Sequence, residues 1–259
     1  MVSSDTARNL VGILGNIFAL SLFLSPVPTF VQIWKRKAVE QYSATPYLAT
    51  LVNCMAWVLY GLPIVHPNSL LVVTVNGAGT VIEFLYIIVF IIYSDKKKRV
   101  KVILIVVVEL IFIAALATMV LNLAHTTKKR SAIVGFICIF FNIAMYASPL
   151  SVMKMIITTK SVEYMPFFVS LTSFINGLAW TCYALISFDP FLLIPNGLGS
   201  LFALAQLTLY AVFYKSTKRQ IAAREGKSEL PLAQVLVNED SKRAATAPLN
   251  GSASETNRA

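Results

Sequence analysis

Seven long runs of apolar residues alternate with short polar segments along the chain. Each run holds about the 20 residues that a helix needs to cross a bilayer. None alternates polar and apolar residues as a membrane strand does, so we expect helices, which satisfy their own backbone hydrogen bonds in lipid. The predicted spans are Leu10–Trp34, Pro46–Val65, Leu70–Tyr93, Val102–Leu123, Ala132–Met153, Pro166–Ile186 and Phe191–Tyr214.

Charged residues are confined mainly to the segments between these runs. Of 259 residues, 57% are hydrophobic and 13% are charged, against roughly 25% charged in soluble domains, which excludes an ordinary soluble protein. The net charge of +10 would suggest nucleic-acid binding in a soluble chain. Here fifteen basic residues fall on one side of the predicted spans and four on the other. This asymmetry predicts an extracellular N-terminus and a cytosolic C-terminus, with no nucleic-acid partner.

The chain contains an internal repeat. A shift of 123 residues superposes Ser25-Pro26 on Ser148-Pro149, Asn53 on Asn176, Trp57 on Trp180 and Tyr60 on Tyr183, and a shift of 120 superposes Pro46 on Pro166 and Asn76-Gly77 on Asn196-Gly197. Each repeat holds three spans, and the fourth span has no counterpart. Because that single extra crossing restores the starting orientation, the two repeats are expected to be parallel, as in one class of secondary transporters.

These boundaries define the predicted organisation of an all-α membrane protein. Two parallel three-helix bundles, residues 9–93 and 131–214, are joined by a linker helix, residues 102–123. Residues 215–259 form a cytosolic tail, and from Glu229 onward its composition of small and charged residues predicts disorder.

Nothing in the sequence indicates an enzyme, a metal site or a cofactor. The three cysteines, Cys54, Cys138 and Cys182, lie in apolar runs without metal-ligand or disulfide spacing. The spans also contain no paired aspartates, no Ser/His dyad and no His-Glu-x-x-His motif.

Four paired residues within the spans are candidates for binding a polar solute. Amides donate and accept hydrogen bonds, and aromatic rings cover apolar faces of a solute. Asn76, Asn196, Trp57 and Trp180 supply both. Taken singly, such residues are more typical of hydrogen bonds between helices and of aromatic residues at headgroup level.

Several motifs at matched spacing resemble those of the plant SWEET (MtN3/saliva) sugar transporters, and most closely the hexose-transporting members. They are PVPTFVQIWKRKAVEQYSATPY from Pro26, SPLSVMKMIITTKSVEYMPF from Ser148, NGAG at Asn76 and PNGLG at Pro195. The resemblance covers residues 9–214. It implies a 3+1+3 arrangement of seven helices and a bidirectional sugar uniporter without ion coupling. It also implies a homo-oligomer, a trimer in this family, in the plasma membrane.

The resemblance also implies roles for individual residues. The paired asparagines and tryptophans form the binding pocket, whose size is set by Asn53, Asn176, Leu22 and Met145. Bulky residues at these four positions accompany hexoses such as glucose and fructose, although Met145 departs from the usual leucine. Pro26, Pro46, Pro149 and Pro166 correspond to an inner-gate tetrad, and Tyr60 and Asp189 to a hydrogen-bonded outer gate.

Two other functions compete with sugar uniport. A proton-coupled carrier of the PQ-loop type is suggested by Glu83 and Glu109 within spans, but Val27, Leu150 and Phe167 stand where such carriers have glutamine after proline. A seven-helix receptor would share the topology but not the internal repeat.

Overall fold

The fold was analysed in a computed structural model, which describes the backbone of residues 3–245 and the side chains of residues 3–225. Within those residues every regular element is a helix. The helices are α1 (Ser4–Leu24), α2 (Val27–Arg36), α3 (Thr45–Gly61), α4 (Leu70–Tyr93), α5 (Lys96–Leu123), α6 (Thr127–Met145), α7 (Ala147–Thr159), α8 (Phe167–Ile186) and α9 (Pro190–Ala245).

Six helical stretches in the described part of the chain are long and apolar enough to cross a membrane, which makes this a multi-pass membrane protein. α1 with α2, and α6 with α7, each form one such stretch of 33 residues. The remaining predicted span, α3, has 17 residues and lies at the lower limit of the length needed.

The helix boundaries reproduce the sequence repeat. An offset of 123 residues carries Ser4, where α1 begins, to Thr127, where α6 begins, and carries the end of α2 to the end of α7. An offset of 120 carries the start of α4 to the start of α9. Lys37 and Lys160 end α2 and α7 in the same left-handed conformation, with φ of 56° and 54°. This conformation is uncommon for a residue with a side chain.

The two repeats have the same internal packing. α4 packs between α1 and α3, and α9 packs between α6 and α8. The repeats meet through α1 against α8 and α3 against α6, while α5 packs on α3, α4 and α6. Buried residues at the centre of the main core include Trp57, Tyr60, Trp180 and Tyr183.

The C-terminal segment differs from the predicted tail as far as it is described. α9 continues as a helix to Ala245, although disorder was expected from Glu229. A helix that continues from a formed span has no nucleation cost, and residues such as Ala, Lys, Glu and Leu extend it readily. Residues 246–259 lie outside the described part, so the prediction for them stays a prediction.

Candidate functional site

A cavity of about 120 Å³ lies between the two repeats, with room for several waters or a small solute. Ten of its twelve lining residues are five pairs related by the repeat: Ala19 and Asn142, Asn53 and Asn176, Trp57 and Trp180, Val72 and Leu192, Asn76 and Asn196. The other two are Phe23 and Val75. The fold thus brings six of the eight predicted binding residues to one cavity.

The other two predicted binding residues, Leu22 and Met145, are half-buried outside the lining. Their places are taken by Ala19 and Asn142, which lie about one helical turn earlier. Asn142 is therefore a site residue that the sequence prediction missed. Two signals could have found it, since it is an amide within a span and its repeat counterpart is the small residue Ala19.

The paired asparagines of α4 and α9 are held in the same way. The side-chain NH₂ of Asn76 donates to the carbonyl oxygen of Val72 at 2.9 Å, and that of Asn196 donates to the carbonyl oxygen of Leu192 at 2.8 Å. Each bond uses one of the two amide hydrogens. The second hydrogen and the side-chain oxygen are left for other partners.

The asparagines of α3 and α8 are not equivalent. Asn142 donates from Nδ2 to Oδ1 of Asn53 at 3.3 Å, a bond that joins the two repeats. The counterpart of Asn142 is Ala19, which has no amide, and Oδ1 of Asn176 is buried without a hydrogen-bond partner among the described residues. An unpartnered buried acceptor costs about 1–3 kcal/mol, so this atom suits a donor brought by a solute or water.

The two tryptophans are fixed by aromatic packing. Each is 5% exposed and contacts a tyrosine one turn further along its helix, edge to face. The centroid distance is 5.3 Å between Trp57 and Tyr60 and 5.2 Å between Trp180 and Tyr183. Rings held in this way offer a rigid apolar wall to a solute.

At one end of the molecule, Tyr60 of the first repeat is bonded to Asp189 of the second. The hydroxyl of Tyr60 donates to the Asp189 carboxylate and lies 2.9 Å from both oxygens. Asp189 is 4% exposed and also accepts the backbone N–H of Phe191 at 3.0 Å, at the start of α9. The bond between Tyr60 and Asp189 therefore joins α3 to the residue that precedes α9.

His66 extends this contact into a cluster that the sequence prediction missed. Its Nε2 lies 3.3 Å from Asp189 Oδ2, its ring stacks on Tyr60 at 4.7 Å, and its Nδ1 lies 3.0 Å from Oγ of Ser131. Burial lowers the pKa of His66 below its ordinary value, while the Asp189 carboxylate acts in the opposite direction. The repeat gives no signal for His66, because the contact joins a loop of one repeat to the other.

The repeat does not duplicate this closure. The counterpart of Tyr60 is Tyr183, whose ring lies under the Arg8 guanidinium at 4.2 Å. The counterpart of Asp189 is Ser69, which begins α4 without a side-chain capping bond. The bond between Tyr60 and Asp189 therefore has no equivalent at the repeat-related positions Tyr183 and Ser69.

The four predicted gate prolines lie at helix breaks or starts toward the other end. Pro26 separates α1 from α2 and Pro149 lies in the first turn of α7, both half-buried, whereas Pro46 and Pro166 at the starts of α3 and α8 are exposed.

Comparison with known proteins assigns this architecture to a family. The family described as "Sugar efflux transporter for intercellular exchange" matches residues 9–98 and 132–218, which are the two repeats on either side of the linker. The chain belongs to the SWEET sugar transporter family. This membership confirms the predicted family, and it also confirms that the chain is not an enzyme, because the SWEET family consists of transporters.

Individual SWEET proteins match most of the chain. The bidirectional sugar transporter SWEET4 of Oryza sativa subsp. japonica is 57% identical over 257 residues, covering 97% of this chain and 99% of the relative. The bidirectional sugar transporter SWEET7 of Arabidopsis thaliana is 58% identical over 221 residues, covering 85% and 86%. A solved structure of a eukaryotic SWEET transporter is 40% identical and superposes with a TM-score of 0.80, covering 82% of this chain and 99% of that chain.

Two acidic residues of this SWEET lie within spans but outside the cavity lining. Glu83 of α4 is 3% exposed, and the equivalent position of the second repeat is Ala203. Glu109 lies on the linker helix α5. Among the described residues, Oε2 of each glutamate has no hydrogen-bond partner.

Proposed function

We propose that this SWEET is a bidirectional sugar uniporter whose substrate binds in the cavity between the repeats. The observation that carries the proposal is the lining itself: paired amides, two fixed indole rings and the unpartnered oxygen of Asn176. Amides match sugar hydroxyl groups and indole rings match sugar C–H faces. The relatives named as bidirectional sugar transporters support it.

Hexoses such as glucose and fructose are the proposed substrates. Asn53 and Asn176 fill the cavity where smaller residues would leave more room, and the remaining volume is about 120 Å³. A cavity of this size favours a monosaccharide over a disaccharide.

The proposed architecture is seven spans in a 3+1+3 arrangement, with α3 as the shortest span. Its 17 residues extend about 25 Å, close to the hydrocarbon thickness. Transport proceeds by alternating access, with one repeat rocking against the other. The buried bond between Tyr60 and Asp189, which joins the two repeats at one end, supports an outward-closed conformation.

Orientation and assembly follow from the same proposal. The end with the prolines carries the basic clusters Lys35–Lys37 and Lys96–Lys101, so it faces the cytosol and the N-terminus is extracellular. The protein resides in the plasma membrane as a homotrimer, which the family resemblance supports.

Proton coupling is the weaker alternative. Glu83 favours it, because a buried carboxyl group within a span is typical of a proton pathway. However, Glu83 does not line the cavity and has no acidic counterpart in the second repeat.

Sugar uptake by cells that lack their own carriers tests the proposal. Asn76→Ala and Asn196→Ala should each lower glucose and fructose uptake at least about tenfold, because each removes a hydrogen-bonding group from the site. Asn122→Ala is the matched control, since Asn122 also donates to the carbonyl four residues earlier, at 2.8 Å, but lies exposed on α5.

Surface abundance is measured in parallel for every variant. Undiminished hexose uptake in both cavity variants at normal abundance would contradict the proposed site. Sucrose uptake equal to glucose uptake in the unaltered protein would contradict the hexose preference while leaving sugar transport intact.

A further inference from the structure

A second pocket, away from the central cavity, lies at the end of the molecule that carries the basic clusters. Its volume is about 300 Å³, and it is formed by the loop before α3, the end of α4 and the first turns of α5. We call it the α5 groove. Its lining includes Leu48, Phe90, Lys98, Lys101, Val102 and Ile105.

One face of α5 changes from charged to apolar along this groove. Lys98, Lys101, Val102 and Ile105 all line it, and their spacing of three, four and seven residues places them on one helix face. The two lysines come first, and Ile105 lies about 10 Å deeper than Lys98. Leu48 and Phe90, 5% and 2% exposed, form an apolar floor.

The start of α5 carries more positive charge than its own contacts offset. Four of its first five residues and the sixth are Lys or Arg, although the helix dipole already makes an N-terminus positive. Asp95 is the N-cap and accepts the backbone N–H of Lys98 at 2.9 Å, a bond that lowers the pKa of Asp95. Arg99 donates to the carbonyl oxygen of Ile91 at 2.9 Å, at the end of α4.

The lysines of the groove keep most of their hydrogen-bonding capacity. Lys98 donates from Nζ to the carbonyl oxygen of Glu40 at 3.0 Å and lies 3.6 Å from Asp95. Lys101, one turn further along, is exposed. An ammonium group has three hydrogens, so the pair has donors available for an anion.

We propose that the α5 groove binds one anionic phospholipid, with its phosphate between Lys98 and Lys101 and an acyl chain over Leu48, Phe90 and Val102. The one acidic residue of the lining, Glu40, has its carboxylate paired with Arg36 at 2.8 Å, so the two lysines make charge complementarity favour an anion. Basic pockets beside transmembrane helices are typical lipid headgroup sites. The apolar floor favours a lipid over a free phosphate, because a small anion gains nothing from contact with apolar side chains, whereas an acyl chain does.

Among the described helices α5 is the linker and has no counterpart in the repeat, so the internal symmetry does not generate a second copy of its lysine-bearing face. The inference does not depend on which solute crosses the membrane.

Native mass spectrometry of the full chain in detergent tests the site. The chain is titrated with phosphatidylserine and with phosphatidylcholine of the same acyl chains, and we expect one phosphatidylserine per chain to be held more tightly. Lys101→Gln should weaken this binding about fivefold, and the double change Lys98→Gln with Lys101→Gln about thirtyfold. Lys101→Gln leaves the contact between Lys98 and Glu40 in place, so it guards against a folding defect.

Lys96→Gln with Lys97→Gln is the matched control, because it makes the same change in charge on residues outside the groove lining. It should weaken binding less than about twofold. Equal weakening by the two double variants, or no preference for phosphatidylserine, would overturn the proposal. So would competition by glycerophosphoserine, which has no acyl chain, at the same concentration as the lipid.

Discussion

At the scale of single residues, the site is less symmetric than the repeat that builds it. Asn53 accepts a hydrogen bond from Asn142 across the boundary between the repeats. Its counterpart Asn176 has Ala19 at the equivalent place, and its Oδ1 is left without a partner among the described residues. A solute in the cavity would therefore meet a hydrogen-bonded amide at Asn53 and an open acceptor at Asn176, so we expect a bound sugar to take a preferred orientation.

We expect the size of Asn53 and Asn176 to decide which sugars enter. The double change Asn53→Ser with Asn176→Ser enlarges the cavity, and we expect measurable sucrose uptake where the unaltered protein shows little. Glucose uptake should fall at the same time, because two amides are lost. Labelled sucrose and glucose uptake measure both effects, and Asn122→Ser serves as the control. If sucrose stays excluded, cavity size does not set the selectivity.

We expect the hydroxyl group of Tyr60 to stabilise the proposed closed outer end. Tyr60→Phe removes a hydrogen bond to a carboxylate, worth about 1.5–3 kcal/mol, and should shift the population toward the open form by about tenfold or more. Spin labels at Leu70 and Leu185, both exposed and on different repeats, measure the separation. Tyr183→Phe removes the counterpart hydroxyl and should leave the distance distribution unchanged. Equal distributions in Tyr60→Phe and the unaltered protein would contradict the gate.

At the scale of helices, the first span breaks where Pro26 removes a backbone donor. α1 ends at Leu24 and α2 begins at Val27, and the hydroxyl of Tyr86 on α4 donates to the carbonyl oxygen of Phe23 at 3.0 Å. In the second repeat the helix breaks at Tyr146 instead, and its hydroxyl donates to the carbonyl oxygen of Pro195. Each of these two helix breaks is hydrogen-bonded to a neighbouring helix of its own repeat. The carbonyl oxygens of Phe23 and Pro195 therefore have a partner where the helix bends.

The two helix breaks, at Pro26 and at Tyr146, should lose mobility when Pro26 and Pro149 are replaced. Pro26→Ala and Pro149→Ala restore a backbone donor and favour a continuous helix, so we expect several-fold slower hexose transport at normal surface abundance. Pro28→Ala is the control, because Pro28 lies near the N-terminus of α2, where proline costs a helix little. Normal rates in both Pro26→Ala and Pro149→Ala would argue against bending at these positions.

At the scale of the whole molecule, the two repeats are held together by close contact between α1 and α8. Gly12 and Gly15 of α1 allow this approach, since a Cβ atom on Gly12 would lie 2.9 Å from the Tyr183 ring and one on Gly15 would lie 2.9 Å from the Trp180 ring. Small residues commonly permit such close packing between membrane helices. The same contact fixes Trp180, so it positions the site as well as joining the repeats.

Gly15→Ala should destabilise the contact between α1 and α8. The added methyl group must displace a packed indole ring, at a cost of about 1–3 kcal/mol, which should lower Tm in detergent by several degrees. Gly77→Ala is the control, since a Cβ atom there meets nothing within 4 Å and alanine favours a helix by about 0.5–1 kcal/mol. If Gly15→Ala raised Tm as much as Gly77→Ala, the added methyl group would not displace the Trp180 ring, and the close contact between α1 and α8 would be contradicted.

The sequence alone determined the approximate positions of the apolar spans, the repeat, and the paired asparagines and tryptophans of the cavity, because hydrophobicity and residue offset are properties of the linear chain. It did not show the breaks within the first and fifth spans or the continuation of α9. The tertiary structure decided that Ala19 and Asn142, and not Leu22 and Met145, line the cavity. The rotation of each helix about its own axis sets this, and a repeat offset does not contain it. Packing between the repeats likewise brought His66 to Asp189 and left Oδ1 of Asn176 without a hydrogen-bond partner among the described residues, since both depend on which residues of different repeats meet.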